Sequence, residues 1–124
     1  MHIMTVDDSR AVRLTIALTL KQAGHTVVEA ACGEDALELL KTDPVDLIIS
    51  DLNMPGMDGN ELVRRIMAEE AYRSIPVLML TTEYARGRLA EAKEAGAVGW
   101  MGKPFKAVNL VAAVSTISKR FGIS

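Results

Sequence analysis

Apolar and polar positions along this chain follow two periods in turn, and the change from one to the other repeats five times. The extended pattern is clearest at 45–51, where Val45, Leu47, Ile48 and Ile49 lead to Ser50 and the carboxylate of Asp51. A nearly continuous apolar run, ended here by Pro55, Gly56 and Gly59, predicts a strand buried on both faces. Shorter runs of the same kind predict strands at 3–6, 26–30, 75–80 and 97–102.

Between these runs the spacing becomes helical. Ser9 is a predicted N-cap for a helix reaching Ala23, with Val12, Ile16 and Leu20 on one face and Gly24 closing it. A helix over 33–41 presents Ala36, Leu37 and Leu40 and stops before Pro44. Asp58 and Glu61 have the spacing of a capping box, opening a helix that carries Leu62, Val63, Ile66 and Met67. A fourth helix is predicted over 85–95, ended by Gly96, and a fifth over 106–120 with Leu110, Val111, Val114 and Ile117 inward. Five such alternations with short connections predict an α/β fold. Its doubly wound parallel sheet has right-handed crossovers and helices on both faces. No repeat, linker or low-complexity stretch interrupts the pattern, so a single domain over 1–124 without an attached output domain is expected.

Composition narrows the function. A hydrophobic fraction of 49% and a mean hydropathy of +0.18 describe a core-rich globular chain. At 124 residues, folding removes roughly two thirds of the unfolded chain's surface from water. The net charge is -2 with a pI near 5.7, which gives no footprint for nucleic acid. No apolar run reaches ~18 residues, so no membrane span is expected. The start of the chain enters the first strand too early for a signal peptide. One cysteine, Cys32, cannot form an internal disulfide; it suits a reducing cytosol and is expected to serve as a small packing residue. His2 and His25 lack metal-ligand spacing and are expected at the surface, as is the Arg64-Arg65 pair.

In an open parallel sheet, ligands sit beyond the carboxyl ends of the strands. The residues there are Asp7 and Asp8, Asp51, Thr81 and Lys103. Taken singly, each has an ordinary explanation: a turn carboxylate, a helix cap, a β-branched strand residue, a surface lysine. With the first strand between the second and third, all five would line one cleft. Three carboxylates against one lysine leave two net negative charges, which one Mg²⁺ would neutralise through oxygen ligands. Positioning and charge stabilisation of this kind are what phosphoryl transfer needs from a protein.

Four segments carry a resemblance: Val6-Asp7-Asp8-Ser9, the stretch from Asp51 through Asn53, Pro55 and Asp58 to Gly59, Leu80-Thr81-Thr82-Glu83, and Gly99-Trp100-Met101-Gly102-Lys103-Pro104-Phe105. On these the chain resembles response-regulator receiver domains, and most closely the CheY-like single-domain chemotaxis regulators. The resemblance implies a flavodoxin-like (βα)5 fold with strand order 2-1-3-4-5. It implies Asp51 as phospho-acceptor, with Thr81 and Lys103 contacting the phosphoryl group. Mg²⁺, or Mn²⁺ in its place, would be held by the side chains of Asp8 and Asp51 and the backbone carbonyl of Asn53, with Asp7 acting mainly through a bound water. A cis Lys103-Pro104 bond is implied as well. Thr81 and Trp100 would form the switch, and Asn53 and Glu83 would tune self-dephosphorylation.

The implied partners are a CheA-like sensor histidine kinase, a flagellar motor switch protein docking on the fourth helix, fifth strand and fifth helix, and a phosphatase. The protein would be a cytoplasmic monomer and no enzyme beyond its own phosphorylation and autodephosphorylation. The fourth helix has one large aliphatic residue, Leu89, and Gly87 in its first turn, so it is expected to be the element that moves. Met54 and Met57 are expected to shape access to the pocket. Phosphatases of the haloacid dehalogenase type carry an aspartate where Asn53 stands, and an amide cannot act as their general acid/base, which argues against a hydrolase. A receiver-like scaffold in a different phosphorelay, or one never phosphorylated, is the alternative. Four positions depart from the family pattern: Gly102 replaces an aliphatic residue beside the lysine, Thr5 puts a hydroxyl into an otherwise aliphatic strand, and Thr82 and Tyr84 are expected to alter the width of the pocket mouth.

Overall fold

The computed structural model describes residues 1–82 and 88–123. Its strands are β1 (His2–Val6), β2 (Thr26–Ala30), β3 (Leu47–Asp51), β4 (Val77–Thr81) and β5 (Gly99–Gly102), and its helices are α1 (Arg10–Gln22), α2 (Gly33–Thr42), α3 (Gly59–Ala68), α4 (Leu89–Ala95) and α5 (Ala107–Arg120). The strands form one parallel sheet in the order β2-β1-β3-β4-β5, the order implied by the resemblance.

Alternation along each strand divides the core. Ile3, Leu47, Ile49, Leu78 and Leu80 pack against Ile16 and Leu20 of α1 and Leu110, Val114 and Ile117 of α5. Their neighbours Met4, Ile48, Val77 and Met79 face Leu40 of α2, Leu62 and Ile66 of α3 and Ala92 of α4. Every residue of β3 and β4 is buried, as expected for central strands covered on both faces. The register sets Val6 beside Ser50, Asp51 beside Leu80 and Thr81 beside Gly102, so four neighbouring strands finish nearly level at one edge.

Several ends differ from the sequence expectation for identifiable reasons. β5 begins at Gly99 because Ala97 belongs to the preceding cap: its N–H and that of Gly96 both reach the Ala92 carbonyl, with Gly96 at φ 118. β4 begins at Val77 because the Ile75 N–H closes a turn onto Tyr72 and Pro76 has no N–H to give. Asp58 caps α3 through the Glu61 N–H at 2.9 Å, while the Glu61 carboxylate pairs with Arg65 at 3.1 Å instead of completing the box. The predicted first turn of the fourth helix, with Ala85 and Gly87, and the residues Glu83 and Tyr84 lie outside the described residues.

Other residues take roles different from those expected. Cys32 is the N-cap of α2, its Sγ accepting the Asp35 N–H at 3.5 Å. His2 joins three segments rather than lying free at the surface: its Nδ1 is 2.6 Å from Thr26 Oγ1 and its Nε2 2.9 Å from Asp43 Oδ1. Met54 is buried in the core, and Met57 packs on α2, where a side chain at Gly33 would strike its sulfur. Arg64 pairs with Glu91 at 2.8 Å, tying α3 to α4.

Candidate functional site

The level strand ends bring four sequence-identified groups into one cleft. Asp7 and Asp8 follow β1, Asp51 ends β3, and Lys103 follows β5. Because β1 and β3 are neighbours, carboxylate oxygens of Asp7, Asp8 and Asp51 all lie within 4.8 Å of one another. Lys103 reaches in from beyond β4, placing its Nζ 2.9 Å from Asp7 Oδ2 and 3.1 Å from Asp51 Oδ1. The Lys103 N–H also bonds the Thr81 carbonyl at 2.7 Å, which fixes the lysine against the end of β4. The Lys103-Pro104 bond is cis.

Burial and charge set the chemistry of this cluster. Asp51 is 6% exposed and Asp7 1%, while Asp8 is exposed. Desolvation, followed by repulsion from Asp7, raises the Asp51 carboxyl above its ordinary range; the Lys103 ammonium only partly offsets this. For Lys103, burial works against the charge, but hydrogen bonds from Nζ to Asp7 and Asp51 outweigh it and hold the ammonium above its ordinary value. Both shifts describe a cleft short of positive charge. Three convergent carboxylates, all oxygen donors, with one of them open to solvent, suit a hard divalent cation that keeps part of its water shell.

Surrounding residues hold the acids in place. Asp7 Oδ1 accepts the Ser9 N–H at 2.8 Å, and the Asp7 carbonyl accepts from Arg13 Nη1 at 2.6 Å. Arg13 is braced in turn by Glu29 at 3.2 Å. Behind Asp51, Gly59 packs so closely that a Cβ there would stand 2.5 Å from the Asp51 carbonyl oxygen. The Asn53 N–H lies 3.4 Å from Asp51 Oδ1, placing this residue at the rim of the cleft. A cavity of 450 Å³, lined by Val12, Thr15, Pro104 and Phe105 among others, opens beside Lys103.

The remaining sequence candidates stand around the cluster. Thr81 is buried at the end of β4, its hydroxyl donating to the Thr82 carbonyl at 3.1 Å. Trp100 sits opposite Met79 in β5 and is 44% exposed. Sequence reasoning overlooked Arg13 and Arg88. Arg88 Nη1 donates to Asn53 Oδ1 at 3.3 Å, and Nη2 pairs with Asp58. Burial opposes ionisation of Asp58, but the Glu61 N–H and the Arg88 guanidinium together outweigh it and hold the carboxyl below its ordinary range. The available signal was slight: the spacing of Arg88 and Glu91 suggests a local pair, but nothing in the sequence points to the distant partners Asn53 and Asp58.

Known proteins share this arrangement of chain and fold. The family model described as response regulator receiver domain matches residues 3–115. The chain is 39% identical over 121 residues to the chemotaxis protein CheY of Pseudomonas aeruginosa, covering 97% of this chain and 98% of that protein. It is 38% identical over 121 residues to the chemotaxis protein CheY-3 of Vibrio cholerae, covering 97% and 93%. Among solved structures, the chemotaxis protein CheY4 of Vibrio cholerae superposes with a TM-score of 0.88 at 39% identity, covering 94% of this chain and 97% of that one.

Proposed function

We propose, from the premise that this chain belongs to the response regulator receiver domain family, that it is a signalling switch in which Asp51 accepts a phosphoryl group. The observation that carries this reading is the contact of Lys103 Nζ with both Asp7 and Asp51 inside a cluster of three carboxylates. Burial makes the Asp51 carboxylate more basic, and so a better nucleophile, while Lys103 favours its ionised form.

In the transfer, an Asp51 oxygen attacks the donor phosphorus. The bond from phosphorus to its leaving nitrogen or oxygen breaks, and the electron pair departs with the leaving group. Lys103 is placed to follow the charge onto the phosphoryl oxygens. Asp7, Asp8 and Asp51, with the backbone carbonyl of Asn53, would hold Mg²⁺ or Mn²⁺, which would supply further charge stabilisation there. The Thr81 hydroxyl turns from the Thr82 carbonyl toward the phosphoryl group, and Trp100 moves into the space released. The change is then read on α4, β5 and α5, where a local charge event biases a two-state element.

The donor in this reading is a sensor histidine kinase of the CheA type, and Asn53 and Glu83 tune the return to the resting state. Similarity to chemotaxis proteins over nearly the whole chain supports a chemotaxis role, with a flagellar motor switch protein as target, in the cytoplasm. The protein catalyses only its own phosphorylation and dephosphorylation. Incubation with Mg²⁺ and acetyl phosphate tests this: an acid-stable, base-labile phosphoryl adduct is expected on the wild type and none on Asp51→Asn. Absence of any adduct would leave a binding scaffold as the better reading.

A further inference from the structure

We propose that Arg88 is a positioning residue that prolongs the phosphorylated state by occupying the side-chain carbonyl of Asn53. This rests on the reading of Asp51 as phosphoryl acceptor and assigns a residue that governs its release.

Arg88 immediately precedes α4 and is held on several sides. Its Nη1 donates to Asn53 Oδ1 at 3.3 Å, its Nη2 pairs with Asp58, and its Nε lies 3.7 Å from Glu91 Oε2. Glu91 is itself fixed by Arg64 at 2.8 Å. A planar guanidinium can serve partners in different directions at once, so Asp58 and Glu91 aim the remaining N–H at Asn53. Both carboxylates neutralise the guanidinium where it stands. Arg88 is therefore placed to hold an amide rather than to collect anions from solution.

Asn53 is the part of this arrangement that reaches the chemistry. Its backbone N–H lies 3.4 Å from Asp51 Oδ1, so the residue stands beside the acceptor. Hydrolysis of the phosphoaspartate requires a water oxygen to form a bond to phosphorus while the bond to the Asp51 oxygen breaks. The electron pair returns to the carboxylate, and the water's proton leaves with inorganic phosphate or to solvent. An amide oxygen free to accept from that water would orient it. Here Arg88 uses one of the two lone pairs of Asn53 Oδ1 and stops the amide from turning.

The test is the decay of purified phosphoprotein. Arg88→Met is expected to shorten the half-life about fivefold, the rate equivalent of roughly one net hydrogen bond. Arg88→Lys, which keeps the charge but loses the fork, is expected to fall between. Lys41→Met removes an exposed cation of α2, paired with Glu38 at 2.9 Å, and is expected to leave the half-life unchanged. In an Asn53→Ala background, Arg88→Met is expected to add nothing. A wild-type half-life in Arg88→Met overturns the proposal; so does the same acceleration without Asn53, or with Lys41→Met. A wild type that takes up no phosphoryl group fails the acceptor assignment itself, a result distinguishable from normal uptake with an unaltered decay.

Discussion

Lys103 and Asp51 lie 3.1 Å apart although β4 runs between the strands that deliver them. The lysine spans that strand because its own N–H is tied to the Thr81 carbonyl, which starts its side chain at the edge of the cleft. Asp7, at 2.9 Å from the same ammonium, makes this one cation serve two buried acids. The cleft therefore has more negative charge than it can comfortably hold without a further cation.

That imbalance appears as a pH dependence in metal-free protein. The Asp51 carboxyl is raised from its ordinary value of 3.8, first by desolvation and then by Asp7. A raised carboxyl contributes stability that is fully present below the unfolded value and is lost as pH rises through the folded one. Asp51→Asn is thus expected to be more stable than wild type at neutral pH in EDTA, with the difference closing as pH falls below the ordinary carboxylate range. Mg²⁺ is expected to narrow the neutral-pH difference by stabilising the wild type. Urea denaturation across this pH range, with and without metal, measures both; a constant difference at all pH values would contradict the charge imbalance.

Gly59 makes a second, steric prediction. A Cβ there would meet the Asp51 carbonyl oxygen at 2.5 Å and Leu52 Cα at 2.9 Å, and backbone atoms have little room to yield. Gly59→Ala is expected to destabilise by about 1–3 kcal/mol, the usual cost of overpacking. Because the displaced segment carries Asp51, the proposed acceptor, phosphoryl uptake should slow as well. Chemical denaturation and uptake rates report the two effects; a fully stable variant with wild-type uptake would show that the helix start gives way instead.

Two buried polar side chains have no hydrogen-bond partner among the described residues: the Thr5 hydroxyl and the Asn60 amide. Both residues are completely buried. An unsatisfied buried group costs about 1–3 kcal/mol, and an apolar residue of similar shape removes that cost. Thr5→Val and Asn60→Leu are expected to raise stability by about 1 kcal/mol each, seen as higher melting temperatures. A loss of stability in either variant would show that the group is bonded in solution.

How far the sequence could be read depended on the range of the interaction. Alternation and breaker residues place β3 and Asp51, because a central strand imposes continuous apolarity on its own residues. The cap of α3 at Asp58 is similarly local. Thr5 stands out in the sequence as a hydroxyl in an aliphatic strand, yet its missing partner depends on what packs over it. Arg88 contacts residues 30 and 35 positions away, and His2 contacts residues 24 and 41 positions away. Neither link leaves a periodic trace, so only the folded chain reveals them. The strand order came from resemblance, since alternation of strands and helices is compatible with several orders.

Trp100 offers an optical readout of the switch. It is the one tryptophan of the chain and is 44% exposed. If Thr81 turns toward the phosphoryl group and the indole follows, emission is expected to move to shorter wavelength on phosphorylation. An unchanged spectrum in protein confirmed by mass to be phosphorylated would contradict the pairing of these two residues.

The account turns on a metal-assisted transfer to a single carboxylate, and one measurement addresses it directly. Protein treated with acetyl phosphate is reduced with borohydride, which converts an aspartyl phosphate to homoserine, and the modified residue is located by peptide mapping. Homoserine at position 51, abundant with Mg²⁺ and scarce in EDTA, is the expected result. Modification at another carboxylate, or equal labelling of Asp51 without divalent metal, would contradict it.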